Sequence, residues 1–234
     1  MKLGLRLTTA SALAFLVLVP FALIAALVAG GWPPLHELDR AVTNSLHVWA
    51  LGHPHWTEAN VWWTNIFAPF PLRAAALGLV IWLLRRRAKR LALWVATTMT
   101  VGGLLGVVLK LLVGRHRPDL LDPVAQATGF SFPSGHALNA ALAAGVFVLV
   151  LLPVAQGAKR WLLWGAAITM TALTGLSRIV LGVHWTSDVV AGTLLGVAVV
   201  AATAAAFPRL RGEPVVEEGL EPELAKAPPV SSSR

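Results

Sequence analysis

Long apolar runs, nearly free of charge, alternate with short polar clusters along the whole chain. Six runs stand out, at residues 7–28, 66–84, 91–113, 134–152, 161–180 and 185–207. Each approaches the roughly 20 residues that an α-helix needs to cross a bilayer. The pattern predicts an all-α, polytopic membrane bundle of six transmembrane helices. The first run exceeds the roughly 7–15 apolar residues of a signal-peptide core, and the following Gly30 Gly31 Trp32 Pro33 Pro34 lacks a small-x-small cleavage site, so a retained anchor is expected. Between the first two runs, Leu35, Leu38, Val42, Leu46 and Trp49 recur at steps of three and four, with Glu37, Asp39, Arg40 and Asn44 between them. That spacing predicts an amphipathic helix lying along the membrane surface, and Trp56, Trp62 and Trp63 follow it at expected headgroup depth. It serves as a membrane-hugging connector or as a wall for lipid access. Gly102 with Gly106, and Gly192 with Gly196, are small-x-x-x-small pairs that let helices approach closely.

Composition sharpens the picture. Hydrophobic residues make up 56% of the 234 and charged ones only 13%, about half the charged share of a soluble chain. The net charge of +8 would suggest nucleic acid in a soluble protein. Its densest run, residues 85–90, instead lies between two apolar spans and reads as a topology signal, so no nucleic-acid partner is expected. Lys2, Arg6, the 85–90 run, Lys159, Arg160, Arg209 and Arg211 all fall on one side of the alternating spans. By the positive-inside rule that side is cytoplasmic, together with both termini. The resulting division is a membrane-embedded domain at 1–207 and a Glu-, Pro- and Ser-rich disordered cytoplasmic tail at 208–234. There are no cysteines, which excludes disulfides, thiolate metal sites and cysteine nucleophiles.

Three polar clusters then stand at the ends of spans, where unpaired ionisable groups are costly. Lys110 and Arg117 Pro118 close the third span. Pro133 Ser134 Gly135 His136 opens the fourth. Ser177 Arg178 closes the fifth, and His184 and Asp188 open the sixth. The topology puts all of them at the outer face. Lys110, Arg117 and Arg178 supply three cations suited to a multiply charged anion. Ser134 fits an N-cap whose following N–H groups face that anion, and Gly135 allows close backbone approach. If a helix begins near His184, Asp188 shares its face at i+4 and can fix the ring tautomer, leaving the other nitrogen free to attack. His136 is then available as the acid for a leaving oxygen. Too few carboxylates converge for Mg²⁺, and three cations would repel it, so neither metal nor cofactor is expected. His36, His47, His53, His55 and His116 read as solvated side chains.

In this order and spacing, the three clusters resemble the tripartite signature of the type 2 phosphatidic acid phosphatase family. The resemblance implies a metal-independent membrane lipid phosphatase. His184 would form a phosphohistidine, Asp188 would orient it, and His136 would protonate the leaving group. Lys110, Arg117, Ser134, Gly135 and Arg178 would hold the phosphoryl oxygens. Its partners would be the bilayer and a lipid phosphate: polyprenyl diphosphate, phosphatidate or phosphatidylglycerophosphate. A phosphotransferase using the same intermediate and an anion transporter are the competing readings. The related vanadium-dependent haloperoxidases share the motif but are soluble. Oligomeric state has no signature in the chain.

Overall fold

The computed structural model describes residues 2–207, with side chains from Phe15 onward. The expected tail at 208–234, Arg209, Arg211 and the side chains of Lys2 and Arg6 lie outside the described residues. Every regular element described is an α-helix: α1 (Lys2–Ala29), α2 (Pro33–Gly52), α3 (Pro54–Ile66), α4 (Pro69–Arg85), α5 (Lys89–Val113), α6 (Gly135–Leu151), α7 (Ala158–Val180) and α8 (Thr186–Ala206). Proline occupies the first turn of α2, α3 and α4, where its missing N–H costs no intrahelical bond.

The six apolar runs fall on α1 and α4 to α8. Length and apolarity qualify four segments to cross a membrane: α3 with α4 as one stretch, α5, α7 and α8. A fifth is added if α1 and α2, which meet at a 95° bend, are counted as one broken span. Helix α6 is equally apolar but has only 17 residues. This makes the chain a multi-pass membrane protein. The second run was expected to open at residue 66, but helix α3 ends there and α4 starts three residues later.

Helix α6 is the hub. It packs on α4, α5, α7 and α8, and Ala137 to Ala143 are buried on all sides. Small residues on the facing helices make this possible. A Cβ on Gly192 would sit 2.6 Å from the Ser134 carbonyl oxygen, and one on Gly196 would sit 2.9 Å from that of Leu138. Both glycines therefore let the α8 backbone lie directly on α6, as small-x-x-x-small pairs do in membranes. On the opposite face, Leu138 and Leu142 fill the space left by Gly106 and Gly102 of α5. The main apolar cluster, with Leu83, Trp94, Val95, Leu142, Val146 and Val199, continues from there toward the far end of the bundle. At that end Trp94 Nε1 donates to Thr203 Oγ1 at 3.2 Å, and Thr98 shares a bond with the same hydroxyl at 2.8 Å.

Helix α2 forms where the spacing predicts, but it turns a different face inward. Asp39, Thr43, His47 and Ala50 are buried, whereas Leu38 and Trp49 are exposed. His47 is correspondingly not solvated: its Nε2 pairs with the Leu121 carbonyl at 2.8 Å. His36 is half-buried against Trp185. His53, His55 and His116 are exposed as expected. The reason is the surface on which α2 docks, which is itself polar.

Candidate active site

The C-termini of α5 and α7 and the N-termini of α6 and α8 meet at one end of the bundle, with the 114–134 loop across them. The 85–90 and 159–160 basic runs lie at the other end, because successive helices run in opposite directions.

Local backbone bonding sets His184 in place. After α7 ends at Val180, the chain doubles back through Gly182, whose φ of +67° is a conformation that a side chain would strain. The N–H groups of Val183 and His184 then both donate to the Arg178 carbonyl, at 3.1 and 3.2 Å. His184 lies in this turn and not on the helix: α8 begins at Thr186, with Trp185 as its N-cap. The i+4 pairing nevertheless forms, because Asp188 is the third residue of α8 and reaches back as half of a capping box. Its Oδ2 accepts from Trp185 N–H at 2.9 Å and lies 3.4 Å from His184 Nδ1. Ser131 Oγ donates to the same oxygen and lies 3.4 Å from His184 Nδ1.

The tautomer follows from the other side of the ring. Arg117 Nη1 stands 3.1 Å from His184 Nε2. A guanidinium only donates, so Nε2 carries the lone pair and the ring proton sits on Nδ1, facing Asp188. Burial pushes His184 down from its ordinary 6.5 to about 4, against the pull of Asp188. The ring is therefore neutral at pH 7.

The other expected residues lie at the same end of the bundle. Arg117 spends its remaining donors on the carbonyls of Thr128, Gly129, Phe130 and Val183, at 2.7 to 3.4 Å. Burial lowers its affinity for its proton, with Asp188 opposing. Lys110 Nζ donates to the carbonyls of Phe130 at 2.5 Å and Ser131 at 3.4 Å. Two of the three predicted anion ligands thus also tie down the 128–131 segment. Arg178, 7% exposed, donates from Nη1 to Thr64 Oγ1 at 2.9 Å. Its Nε and the Ser134 hydroxyl are buried without a partner among the described residues. Ser134 holds the N-cap position of α6 but makes no side-chain cap, which leaves its hydroxyl uncommitted. Its N–H donates to the Asp188 carbonyl at 3.0 Å, locking the α6 start to α8. Gly135 is the first residue of α6, and His136 follows it. Lys110, Arg117, Arg178 and His184 all act electrostatically on His136. The arrangement brings together all eight predicted residues. Among the described residues, no three His, Cys, Asp or Glu side chains are grouped to hold a metal ion.

Three side chains here escaped sequence reasoning. Arg115 bridges two carboxylates, Asp188 at 2.8 Å and Asp39 at 2.7 Å. Ser131 supports His184 and Asp188 as described. The only advance signal for Arg115 and Asp39 was charge beside an apolar run, a signal shared by residues that merely face solvent.

A family model described as the PAP2 superfamily matches residues 91–211. Over 96 residues the chain is 41% identical to phosphatidylglycerophosphatase B of Bacillus subtilis, covering 40% of this chain and 46% of that protein. Over 121 residues it is 32% identical to an undecaprenyl-diphosphatase of Sulfolobus acidocaldarius, covering 49% and 54%. The chain spans about half the length of the curated relatives it matches. A crystal structure of a transmembrane PAP2-type phosphatidylglycerolphosphate phosphatase from Bacillus subtilis superimposes with a TM-score of 0.73 at 25% identity, over 81% of this chain and 93% of that one.

Proposed function

The chain belongs to the PAP2 superfamily, and from that premise we propose that it is an integral membrane lipid phosphatase working through a phosphohistidine. The observation that carries this reading is the state of His184: neutral, with its proton held toward Asp188 and its Nε2 lone pair turned toward a cation. That is the requirement for an attacking imidazole.

In the proposed reaction, His184 Nε2 attacks phosphorus while the bond from phosphorus to the lipid oxygen breaks. His136, protonated as the anionic phosphate group enters among the cations, donates that proton to the departing oxygen. Arg117 Nη1 moves from the lone pair to a phosphoryl oxygen as the lone pair becomes the N–P bond. Asp188 accepts from Nδ1–H and balances the charge that develops on the ring. Lys110, Arg178 Nε, Ser134 Oγ and the N–H groups opening α6 take the equatorial oxygens. Water, deprotonated by His136, then attacks the phosphohistidine; the N–P bond breaks and phosphate leaves. Charge neutralisation by three fixed cations replaces a divalent metal in this scheme.

The substrate class is a lipid whose phosphate lies at the headgroup plane: polyprenyl diphosphate, phosphatidate or phosphatidylglycerophosphate. Phosphohydrolases of two such lipids are among the relatives. In our reading the bundle crosses six times, with α6 completing the count and both termini cytoplasmic. The basic runs at 85–90 and 159–160 then hold the far end inside and leave the site outside. The exposed Leu38, Val48 and Trp49 of α2 rest against lipid headgroups, and residues 208–234 form a cytoplasmic tail. Phosphate release by purified protein from a panel of these lipids in detergent tests the activity, with His184→Ala as the control. An equal rate in the two proteins would remove the reading. Impermeant thiol labelling tests sidedness, with single cysteines at Gln126 in the 114–134 loop and at Gln156 at the far end. Labelling of Gln156→Cys alone in intact cells would invert the orientation.

A further inference from the structure

We propose that Arg115 and Asp39 are positioning residues for the reaction at His184, making α2 part of the catalytic unit. The inference rests on the reading of His184 as the nucleophile. Neither residue touches the ring; each acts through Asp188 and the first turn of α8.

The bonding divides Asp188 into two halves. Oδ2 serves His184, Ser131 and the Trp185 N–H. Oδ1 accepts from Arg115 Nη1 at 2.8 Å. The same Nη1 donates to Ser187 Oγ at 2.7 Å, and Nη2 donates to Asp39 Oδ2 at 2.7 Å. Asp39 closes the ring from α2. Its Oδ1 accepts from the Ser187 N–H at 2.9 Å, an otherwise free donor in the first turn of α8, and its Oδ2 accepts from Ser187 Oγ at 2.5 Å. The guanidinium also lies 5.4 Å from the centre of the Trp185 ring. The side chains of Asp39, Arg115 and Asp188 are 1%, 9% and 0% exposed, so solvent cannot substitute for any of these bonds.

Charge explains why the guanidinium is needed. Asp39 and Asp188 are both buried against one guanidinium, which supplies the counter-charge that buried carboxylates require. Arg115 keeps both as acceptors, which Asp188 must be to receive the Nδ1 proton of His184. Two carboxylates and one guanidinium leave one negative charge beside a ring that becomes cationic as it takes phosphorus. A lysine supplies the charge but not the fork, so it cannot bridge both carboxylates in this geometry.

The test measures kcat and KM on a short-chain phosphatidate in detergent for Arg115→Gln, Arg115→Lys and Asp39→Asn, each in wild-type and Asp188→Asn backgrounds. In the wild-type background, Arg115→Gln should lower kcat about 10- to 100-fold at unchanged KM, as loss of an outer partner does at metal-ligating histidines. Arg115→Lys should recover part of that loss. In the Asp188→Asn background, the same substitutions should cost less than about twofold, because coupled residues are non-additive. A wild-type kcat for Arg115→Gln, or an equal loss in both backgrounds, would overturn the proposal. If Arg115→Gln yields no folded protein by thermal melting, Asp39→Asn carries the test by the same criterion. Activity surviving in His184→Ala would bring down the functional reading itself. An inactive His184→Ala beside an unaffected Arg115→Gln would bring down this inference alone.

Discussion

The two ends of the bundle are built from the same four helices, α5 to α8, yet they solve opposite problems. At the far end, Trp94, Thr98 and Thr203 form one small polar knot inside an apolar cluster, and each partner lies on α5 or α8. At the site end, polar side chains bond across α2, the 114–134 loop, the α7–α8 turn and α8, joining residues as distant in sequence as Asp39 and Ser187. Helix ends expose unpaired N–H and C=O groups. The far end leaves its own to the short turns between helices, whereas the site end uses them to hold charged side chains in fixed orientations. Chemistry needs the second kind of construction, and a span needs only the first.

Substitutions that separate chemistry from packing test this contrast. The largest effect belongs to His184→Ala, which should lower kcat by about 10⁴-fold or more while leaving the melting temperature near wild type, since removal of a nucleophile leaves only binding and electrostatic terms. Steady-state rates with a thermal melt decide it; substantial turnover would show that the site end is structural after all. The pH dependence comes next. His184 must be neutral to attack, so the acid limb of kcat/KM should lie well below neutrality, with a fall of about tenfold per unit once pH drops below about 4. The same depressed affinity means that the unfolded chain binds a proton between about 4 and 6.5 that the folded one does not. Stability should therefore decline as pH falls through that window. An acid limb centred near 6.5 would show that burial does not govern the ring.

Gly192→Ala probes the seam that connects the two ends. Its methyl would meet the Ser134 carbonyl at 2.6 Å, so a loss of about 1–3 kcal/mol is expected, together with reduced kcat because Ser134 moves. A variant as stable and as active as wild type would mean that α8 does not set the α6 start. At the far end, Thr98→Val should cost only about 1 kcal/mol, the worth of an ordinary hydrogen bond, and should leave kcat unchanged. A fall in kcat there would erase the distinction between the ends. The smallest expected effect is that of excess chelator, which should leave the rate unaltered; a rate lost to chelation and restored by Mg²⁺ would contradict neutralisation by Lys110, Arg117 and Arg178.

The apolar runs were legible because burial in lipid leaves a one-dimensional trace: long stretches without charge. The gathering of Lys110, Arg117, Ser134, Gly135, His136, Arg178, His184 and Asp188 at one end of the bundle was legible because residue type and spacing at helix ends imply convergence. Asp39 was not. Alternation along α2 made it one of the polar residues facing water, and only its docking on Arg115 and the Ser187 N–H reverses that reading. A helix buries whichever face complements its neighbour, and here the neighbour is charged. Arg115 escaped for the same reason, as its role is defined by a residue 76 positions away. The sixth run, expected from residue 185, opens as a helix at Thr186; that His184 stays off the helix while Asp188 caps it backward is a local choice that apolar periodicity does not register.

The bonding of Arg117 has a thermodynamic consequence. All of its nitrogens already hold partners, four backbone carbonyls and the His184 lone pair. In the proposed reaction a phosphoryl group gains this cation only by exchange, so the enthalpy of association is a difference between similar bonds. A lipid adds the transfer of its apolar part to that difference. Inorganic phosphate lacks that part and gains net bonds only at groups such as Arg178 Nε and the Ser134 hydroxyl, unpartnered among the described residues, so Arg117 itself should do little to hold the product.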